Sequence, residues 1–116
     1  MEIGNRPWGS YYVLEDTTTY KVKRIEVNVD GRLSYQYHNK RAEVWTIVQG
    51  KALVTLNEKD YEYNAGEVVI IPLQAKHRIK NIGKEKLIFI EVQHGTYFGE
   101  DDIVRIEDDY NRSSED

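Results

Sequence analysis

Apolar and polar residues alternate along most of this chain. Between 33 and 38, Leu33, Tyr35 and Tyr37 fall at one parity and Ser34, Gln36 and His38 at the other, so an extended backbone sends them to opposite faces. The period-2 pattern recurs at 52–56, and shorter apolar stretches at 11–14, 44–48, 61–63, 77–80, 87–93 and 103–106 read as strands. Residues 20–29 change phase. Tyr20 and Val22 are apolar at even positions, and Ile25, Val27 and Val29 at odd ones, which predicts a β-bulge near Lys23 and Arg24. Val68, Val69, Ile70 and Ile71 form a run of β-branched residues that suits a strand buried on both faces. Asp30–Gly31, Gly50 and Asn64–Ala65–Gly66 supply turns, and Pro7 stiffens a lead-in segment at 6–11. Helix periodicity is almost absent. About nine short strands at turn spacings of ~8 to 12 residues predict an all-β chain folded as an antiparallel sandwich or barrel.

Length and charge narrow the picture. At 116 residues the chain is expected to be one domain spanning 1–116, with its core at about 6–106 and an acidic, apolar-poor tail at 107–116 that frays. A net charge of -4 argues against a general nucleic-acid binder, whose affinity comes from clustered Lys and Arg. Two local basic clusters, Lys21–Lys23–Arg24 and Lys76–Arg78–Lys80, read most simply as solvated strand faces. There is no cysteine, so disulfides and thiolate metal sites are excluded. No signal-type apolar segment opens the chain, and the longest apolar runs are about five residues against the ~20 of a membrane span. A cytoplasmic location without a membrane partner is the expectation. Apolar end strands in a small sheet structure tend to pair between copies, which predicts a homodimer.

The candidate chemistry lies in two spaced motifs. The first is Gly31-x4-Gln36-x-His38-x4-Glu43-x6-Gly50, and the second is Gly66-x5-Pro72-x4-His77-x3-Asn81. Gln36, His38, Glu43 and His77 offer one amide oxygen, two imidazoles and one carboxylate, a set that a borderline divalent metal accepts when rigid strands hold it. The register has alternatives. One frame puts the paired positions at Tyr37 and Asn39, neither a good ligand, and another pairs His38 with Lys40, whose ammonium repels a cation. The frame with Gln36 and His38 is preferred, because both carry ligand atoms on one strand face. The spacing of both motifs resembles that of the cupins, small antiparallel β-barrels of jelly-roll type that hold a divalent metal.

A closer resemblance covers about residues 6–112. Arg6-Pro-Trp-Gly-Ser-Tyr11, Tyr20-Lys-Val-Lys-Arg-Ile25, Leu33-Ser-Tyr-Gln-Tyr-His38, Arg41-Ala-Glu-Val-Trp45, Ile71-Pro72, His77-Arg78, Glu91-Val-Gln93 and Gly99-Glu-Asp-Asp-Ile-Val-Arg105 are similar to the cupin domain of type II mannose-6-phosphate isomerases. That domain is usually fused to a mannose-1-phosphate guanylyltransferase. The resemblance implies interconversion of mannose 6-phosphate and fructose 6-phosphate with a divalent metal, zinc first and cobalt, manganese or iron as alternatives. It implies Gln36, His38, Glu43 and His77 as metal ligands and Arg105 as a functional arginine. Glu91 is a candidate base, and Lys23, Lys40 and Arg41 are candidates for the phosphate. The family run His-His-His-Arg-(Ala or Ser)-Glu-His-Trp is altered here at Asn39, Lys40 and Val44. A second function class follows from these departures: a non-catalytic cupin that binds a sugar phosphate or nucleotide sugar, or docks onto a separate guanylyltransferase.

Overall fold

The computed structural model describes residues 1–109, and these contain eleven strands and no helix. They are β1 (Ile3–Arg6), β2 (Gly9–Asp16), β3 (Tyr20–Val27), β4 (Tyr35–Tyr37), β5 (Arg41–Gln49), β6 (Lys51–Leu56), β7 (Lys59–Asn64), β8 (Val68–Ile71), β9 (His77–Asn81), β10 (Leu87–Gly95) and β11 (Val104–Glu107). Six of them form one sheet in the order β1-β2-β3-β10-β5-β8, and five form the other in the order β11-β4-β9-β6-β7. All pairings are antiparallel. The two sheets face each other as a jelly-roll sandwich, without hydrogen-bonded closure into a barrel.

The interior is best described as rows that run across the six-stranded sheet, since residues directly opposite in antiparallel strands share a face. Ile25, Phe89 and Ile47 make one row. The next is Lys23, Glu91, Trp45 and Val69, and the one beyond is Lys21, Gln93, Glu43 and Ile71. Every side chain in these rows is buried. The facing sheet contributes Val54 opposite Ile79, and then Leu56 opposite His77 opposite Gln36. One end of the sandwich is therefore hydrocarbon, and the other end is polar and charged. The same strands supply both.

Several sequence expectations need correction. The phase change in β3 is not a bulge: its pairing with β10 is unbroken from Tyr20 to Val27, and Lys21 and Lys23 continue the inward parity of Ile25 and Val27. The irregularity lies in β2, between Val13 and Glu15. The first basic cluster is not a solvated face, because Lys21 and Lys23 are buried, and the second is one only in part, with Lys76 exposed, Lys80 half-buried and Arg78 buried. The run at 68–71 is buried on one face only. As edge strand β8 it leaves Val68 and Ile70 at 51% and 65% exposure. The segment at 6–11 belongs to a hairpin, with Pro7 and Trp8 in the turn between β1 and β2. The tail expected to fray from 107 is tied at its start, since Glu107 is in β11 and Asp109 accepts hydrogen bonds from Arg32. Residues 110–116 lie outside the described residues. No helix among the described residues is long and apolar enough to cross a membrane.

Asn81, the last residue of the second motif, joins the two sheets. It is fully buried on β9, and its Nδ2 donates to the carbonyls of Val27 at 2.9 Å and Glu85 at 2.8 Å, while its Oδ1 accepts from Gly83 N at 2.9 Å. No apolar side chain can replace those bonds, and each buried group left unpaired costs about 1–3 kcal/mol. Asn81→Ala is expected to lower unfolding free energy by at least about 2 kcal/mol in urea titrations. A loss below about 0.5 kcal/mol would show that water replaces the amide and that the joint is dispensable.

Candidate functional site

The polar rows enclose a small cavity of about 30 Å³, lined among others by Lys23, Gln36, Arg41, Glu43, His77 and Glu91. His38, Glu43 and His77 bring ligand atoms to within 4.8 Å of one another, and all three are buried. Glu43 comes from β5, His77 from β9, and His38 follows β4, so the cluster spans both sheets. The imidazoles of His38 and His77 stack with centroids 5.2 Å apart. Nδ1 of His77 lies 2.9 Å from the carbonyl of Ala75, to which it donates, leaving Nε2 with a lone pair. Trp45 Nε1 donates to Glu43 Oε1 at 2.9 Å and holds that carboxylate in place.

Arg41 ties the cluster to the rest of the cavity. Its Nη2 donates to His38 Nε2 at 2.7 Å, its Nε to Glu43 Oε2 at 2.9 Å, and its Nη1 to Glu100 Oε2 at 2.9 Å. The backbone bringing Arg41 here passes Gly95, whose Cβ, if present, would lie 2.2 Å from the Lys40 carbonyl oxygen. Only glycine permits that approach. The segment is also clamped by Asp102, whose carboxylate accepts from the backbone N–H groups of Asn39 and Lys40.

Protonation follows from burial and from counting charges. Burial lowers the pKa of His38 to about 4 and lowers that of His77 as well, so both rings are neutral near pH 7 and offer lone pairs. Burial alone would raise Glu43, but Arg41 beside it wins and holds the carboxyl well below the usual carboxylate range. Glu100 behaves alike: against its burial, Lys23 and Arg41 bring it to about 2. Burial also works against the ammonium of Lys23, but Glu100 and Glu91 overcome it and the pKa rises. Glu91 is the odd group. Burial, and then the Glu43 carboxylate, push it up to about 8, with Lys23 and Arg41 opposing. Two buried cations, Lys23 and Arg41, are already matched by two carboxylates, Glu43 and Glu100, so the third acid keeps its proton.

The residues present fit a divalent cation. Gln36 Oε1 is buried and has no hydrogen-bond partner among the described residues, His77 Nε2 carries a lone pair, and the lone pair of neutral His38 is on the Nε2 that accepts from Arg41. A guanidinium already rests on His38 and Glu43, which demonstrates that this donor set accepts positive charge. Two imidazoles, a carboxylate and an amide oxygen suit zinc and its neighbours better than calcium or magnesium.

Of the residues named from sequence, the fold brings Gln36, His38, Glu43, His77, Glu91, Lys23 and Arg41 to one cavity or its wall. Leu33 also lines the cavity, so the strict alternation read at 33–38 breaks ahead of β4. Lys40 is not brought there: it is exposed, with Nζ over the Tyr97 ring at 5.3 Å. Arg105 stands opposite Gln36 in the β11–β4 pairing, so its side chain leaves on the Gln36 face of the sheet, but it is not among the cavity-lining residues. Asn39 and Lys40 are exposed, and Val44 lies at the outward parity of β5, between buried Glu43 and Trp45. The departures from the family run thus point away from the cavity. Sequence reasoning missed Glu100, Tyr11 and Gln93. Gln93 Nε2 donates to Glu91, and its inward parity with Glu91 on β10 was the available signal.

An all-β sandwich with a buried His-Glu-His cluster and neighbouring cations defines a cupin with a candidate metal centre. The chain belongs to the family described as mannose-6-phosphate isomerase C-terminal, which matches residues 2–108. It is 46% identical over 110 residues to the alginate biosynthesis protein AlgA of Pseudomonas aeruginosa, covering 95% of this chain and 23% of that protein. It is 42% identical over 107 residues to a mannose-1-phosphate guanylyltransferase of Klebsiella pneumoniae, covering 92% of this chain and again 23% of that protein. Among solved structures, the cupin domain of Schizosaccharomyces pombe Cnp3 superposes with a TM-score of 0.71 at 22% identity, covering 74% of this chain and 64% of that one. The chain thus spans about a quarter of the length of these curated relatives.

The protonated state of Glu91 has a measurable consequence. Between about pH 4.5 and 8 the unfolded chain has lost the Glu91 proton and the folded chain retains it, so this group makes stability fall as pH rises through that window. Glu91→Gln is expected to match the metal-free wild type near pH 5 and to exceed it in urea midpoint near pH 8. A variant less stable than wild type at pH 8 would mean that Glu91 is ionised and paired with Lys23.

Proposed function

We propose that the protein is a metal-dependent aldose–ketose isomerase that interconverts mannose 6-phosphate and fructose 6-phosphate. The observation that carries this reading is the His38–Glu43–His77 cluster at one side of a cavity whose other walls hold a protonated acid and two buried cations. The family match supports the choice of reaction.

In this reading Gln36, His38, Glu43 and His77 hold the divalent metal, zinc in the first instance. Bound there, it would polarise the C1 and C2 oxygens of the sugar. The reaction moves a proton between C1 and C2 through an enediol, which requires a group able to lose and regain a proton near neutral pH. Glu91, pushed up to about 8, is the acid–base candidate. Gln93 orients its carboxyl, and Lys23 opposite it on β3 favours the ionised form. Lys23 and Arg41 are the anchors for the phosphate, with Arg41 offering the planar fork. Lys40 serves at the rim at most. Arg105 is the functional arginine, acting at the edge of the cavity beside Gln36. The exposed apolar edge of β8, with Val68 and Ile70, supports a homodimer. A binding module that serves a separate guanylyltransferase is the second reading, favoured by the name of the Klebsiella relative and the share of it that this chain covers.

Purified protein is expected to convert mannose 6-phosphate when supplied with zinc, cobalt, manganese or iron, and His77→Ala to lose both metal and turnover while remaining folded. Equal metal in wild type and His77→Ala by elemental analysis would mean that the ligand set is wrong. No turnover with any metal, together with stoichiometric sugar-phosphate binding, would select the binding module. Glucose 6-phosphate in the same assay tests the choice of sugar.

Arg105→Lys keeps the charge and loses the bidentate geometry, so turnover should fall by ~100-fold or more at unchanged melting temperature. Retention of more than half the wild-type turnover would remove Arg105 from the reaction.

A further inference from the structure

The cavity is too small for the substrate class proposed for it. At about 30 Å³ it holds one or two waters, whereas small-molecule sites run to ~300 Å³ or more. Something that lines it must move. Nearly all its lining side chains stand on strands of the two sheets, and the exceptions are Trp8, Leu33 and Glu100. Trp8 and Leu33 belong to the apolar core at 2% and 8% exposure. Glu100 alone sits half-buried on a connection, at 96–103 between β10 and β11.

Its contacts are those of a bound anion. Glu100 Oε1 accepts from Lys23 Nζ at 3.2 Å, and Oε2 accepts from Arg41 Nη1 at 2.9 Å. Both cations are buried, with side chains 5% and 4% exposed, and neither belongs to the same element as Glu100. Cations so placed require a counter-charge, because an unpaired charge in the interior is strongly unfavourable. We propose that Glu100 is a built-in occupant of the anion subsite made by Lys23 and Arg41, and that a phosphorylated ligand binds by displacing it and carrying residues 97–101 outward. The proposal rests on the phosphate role given to Lys23 and Arg41 above.

The surrounding segment is built for such a movement. Asp102 stays fixed by the backbone N–H groups of Asn39 and Lys40, which leaves a pivot immediately beyond Glu100. Tyr97 folds over Gly99 and its hydroxyl donates to Asp101, which braces 97–101 internally, while Lys40 Nζ over the Tyr97 ring and the Asp102 N–H on the Gly99 carbonyl tie it to the fixed segment. Outward rotation of 97–101 leaves the two cations facing the cavity. A phosphate brings more charge and more acceptor oxygens to them than one carboxylate does.

The prediction has a sign opposite to that of an ordinary binding residue. An internal competitor that fills the subsite ~90–99% of the time weakens the apparent affinity for an external anion by ~10- to 100-fold. Glu100→Gln keeps the shape and removes the charge, so inorganic phosphate should bind about 10-fold or more tightly to it than to wild type. Calorimetry on the full chain as purified, in phosphate-free buffer, reads this ratio. Adding Lys23→Met to Glu100→Gln should abolish the gain. Equal or weaker phosphate binding by Glu100→Gln, or a gain that survives Lys23→Met, overturns the proposal. If Glu100→Gln does not fold, hydrogen exchange on wild type decides: phosphate should speed exchange at 97–101, and unchanged or slower exchange overturns it. A tighter phosphate site without mannose 6-phosphate turnover would sink the isomerase reading alone. Turnover without the phosphate gain would sink the role of Glu100 alone.

Discussion

Charge neutrality inside a small sandwich is the constraint on which the rest of this structure depends. Lys23 and Arg41 are taken out of water at the polar end of the interior, and each must meet an anion within hydrogen-bond reach. Glu43 and Glu100 satisfy them. That matching explains otherwise unrelated features: the buried Asp102 that pins 39–40, the missing side chain at Gly95, and the proton that Glu91 retains. Each either delivers a charge to its partner or is a group left over once the partners are assigned.

The same constraint divides labour along β3, β5 and β10. Ile25, Ile47 and Phe89 pack against Ile79 and Val54 at one end, as ordinary apolar burial would have it. Two residues further along each strand the inward parity carries Lys23, Trp45 and Glu91, and two further still Lys21, Glu43 and Gln93. Asn81 closes the apolar end with three hydrogen bonds and links β9 to the strand-end carbonyl of Val27. The metal-type ligands lie at the other end, where His77 faces Gln36 across β4 and β9.

Much of this was legible in the residue order. Alternation and turn residues gave the all-β class, and the two spaced motifs gave Gln36, His38, Glu43 and His77, which the fold gathers around one cavity. What failed was the assumption that parity of apolar residues marks the inward face. In β3 the inward positions pass from Val27 and Ile25 to Lys23 and Lys21, so hydrophobicity appeared to switch sides where the backbone did not. In β8 the opposite occurred: Val68 and Ile70 are apolar but lie outward at a sheet edge. Glu100 was beyond reach for a different reason. Its importance comes from contacts with Lys23 and Arg41, 77 and 59 residues away, and nothing in the local sequence encodes them.

The row arrangement also bears on how such a protein can change over generations. Substitutions in the apolar rows act on folding, and those in the charged rows act on what the cavity accepts, because different positions of the same strands supply the two. A charged interior is no aid to stability: well-packed apolar side chains of similar volume in place of buried ion pairs are often neutral or stabilising. Drift that exchanged Lys23 and Glu100 together for hydrocarbon would remove a matched ion pair at little cost to the sandwich, while erasing the chemistry of the cavity. Retention of that pair in relatives, against so easy a loss, would be the mark that selection for a ligand leaves on the fold.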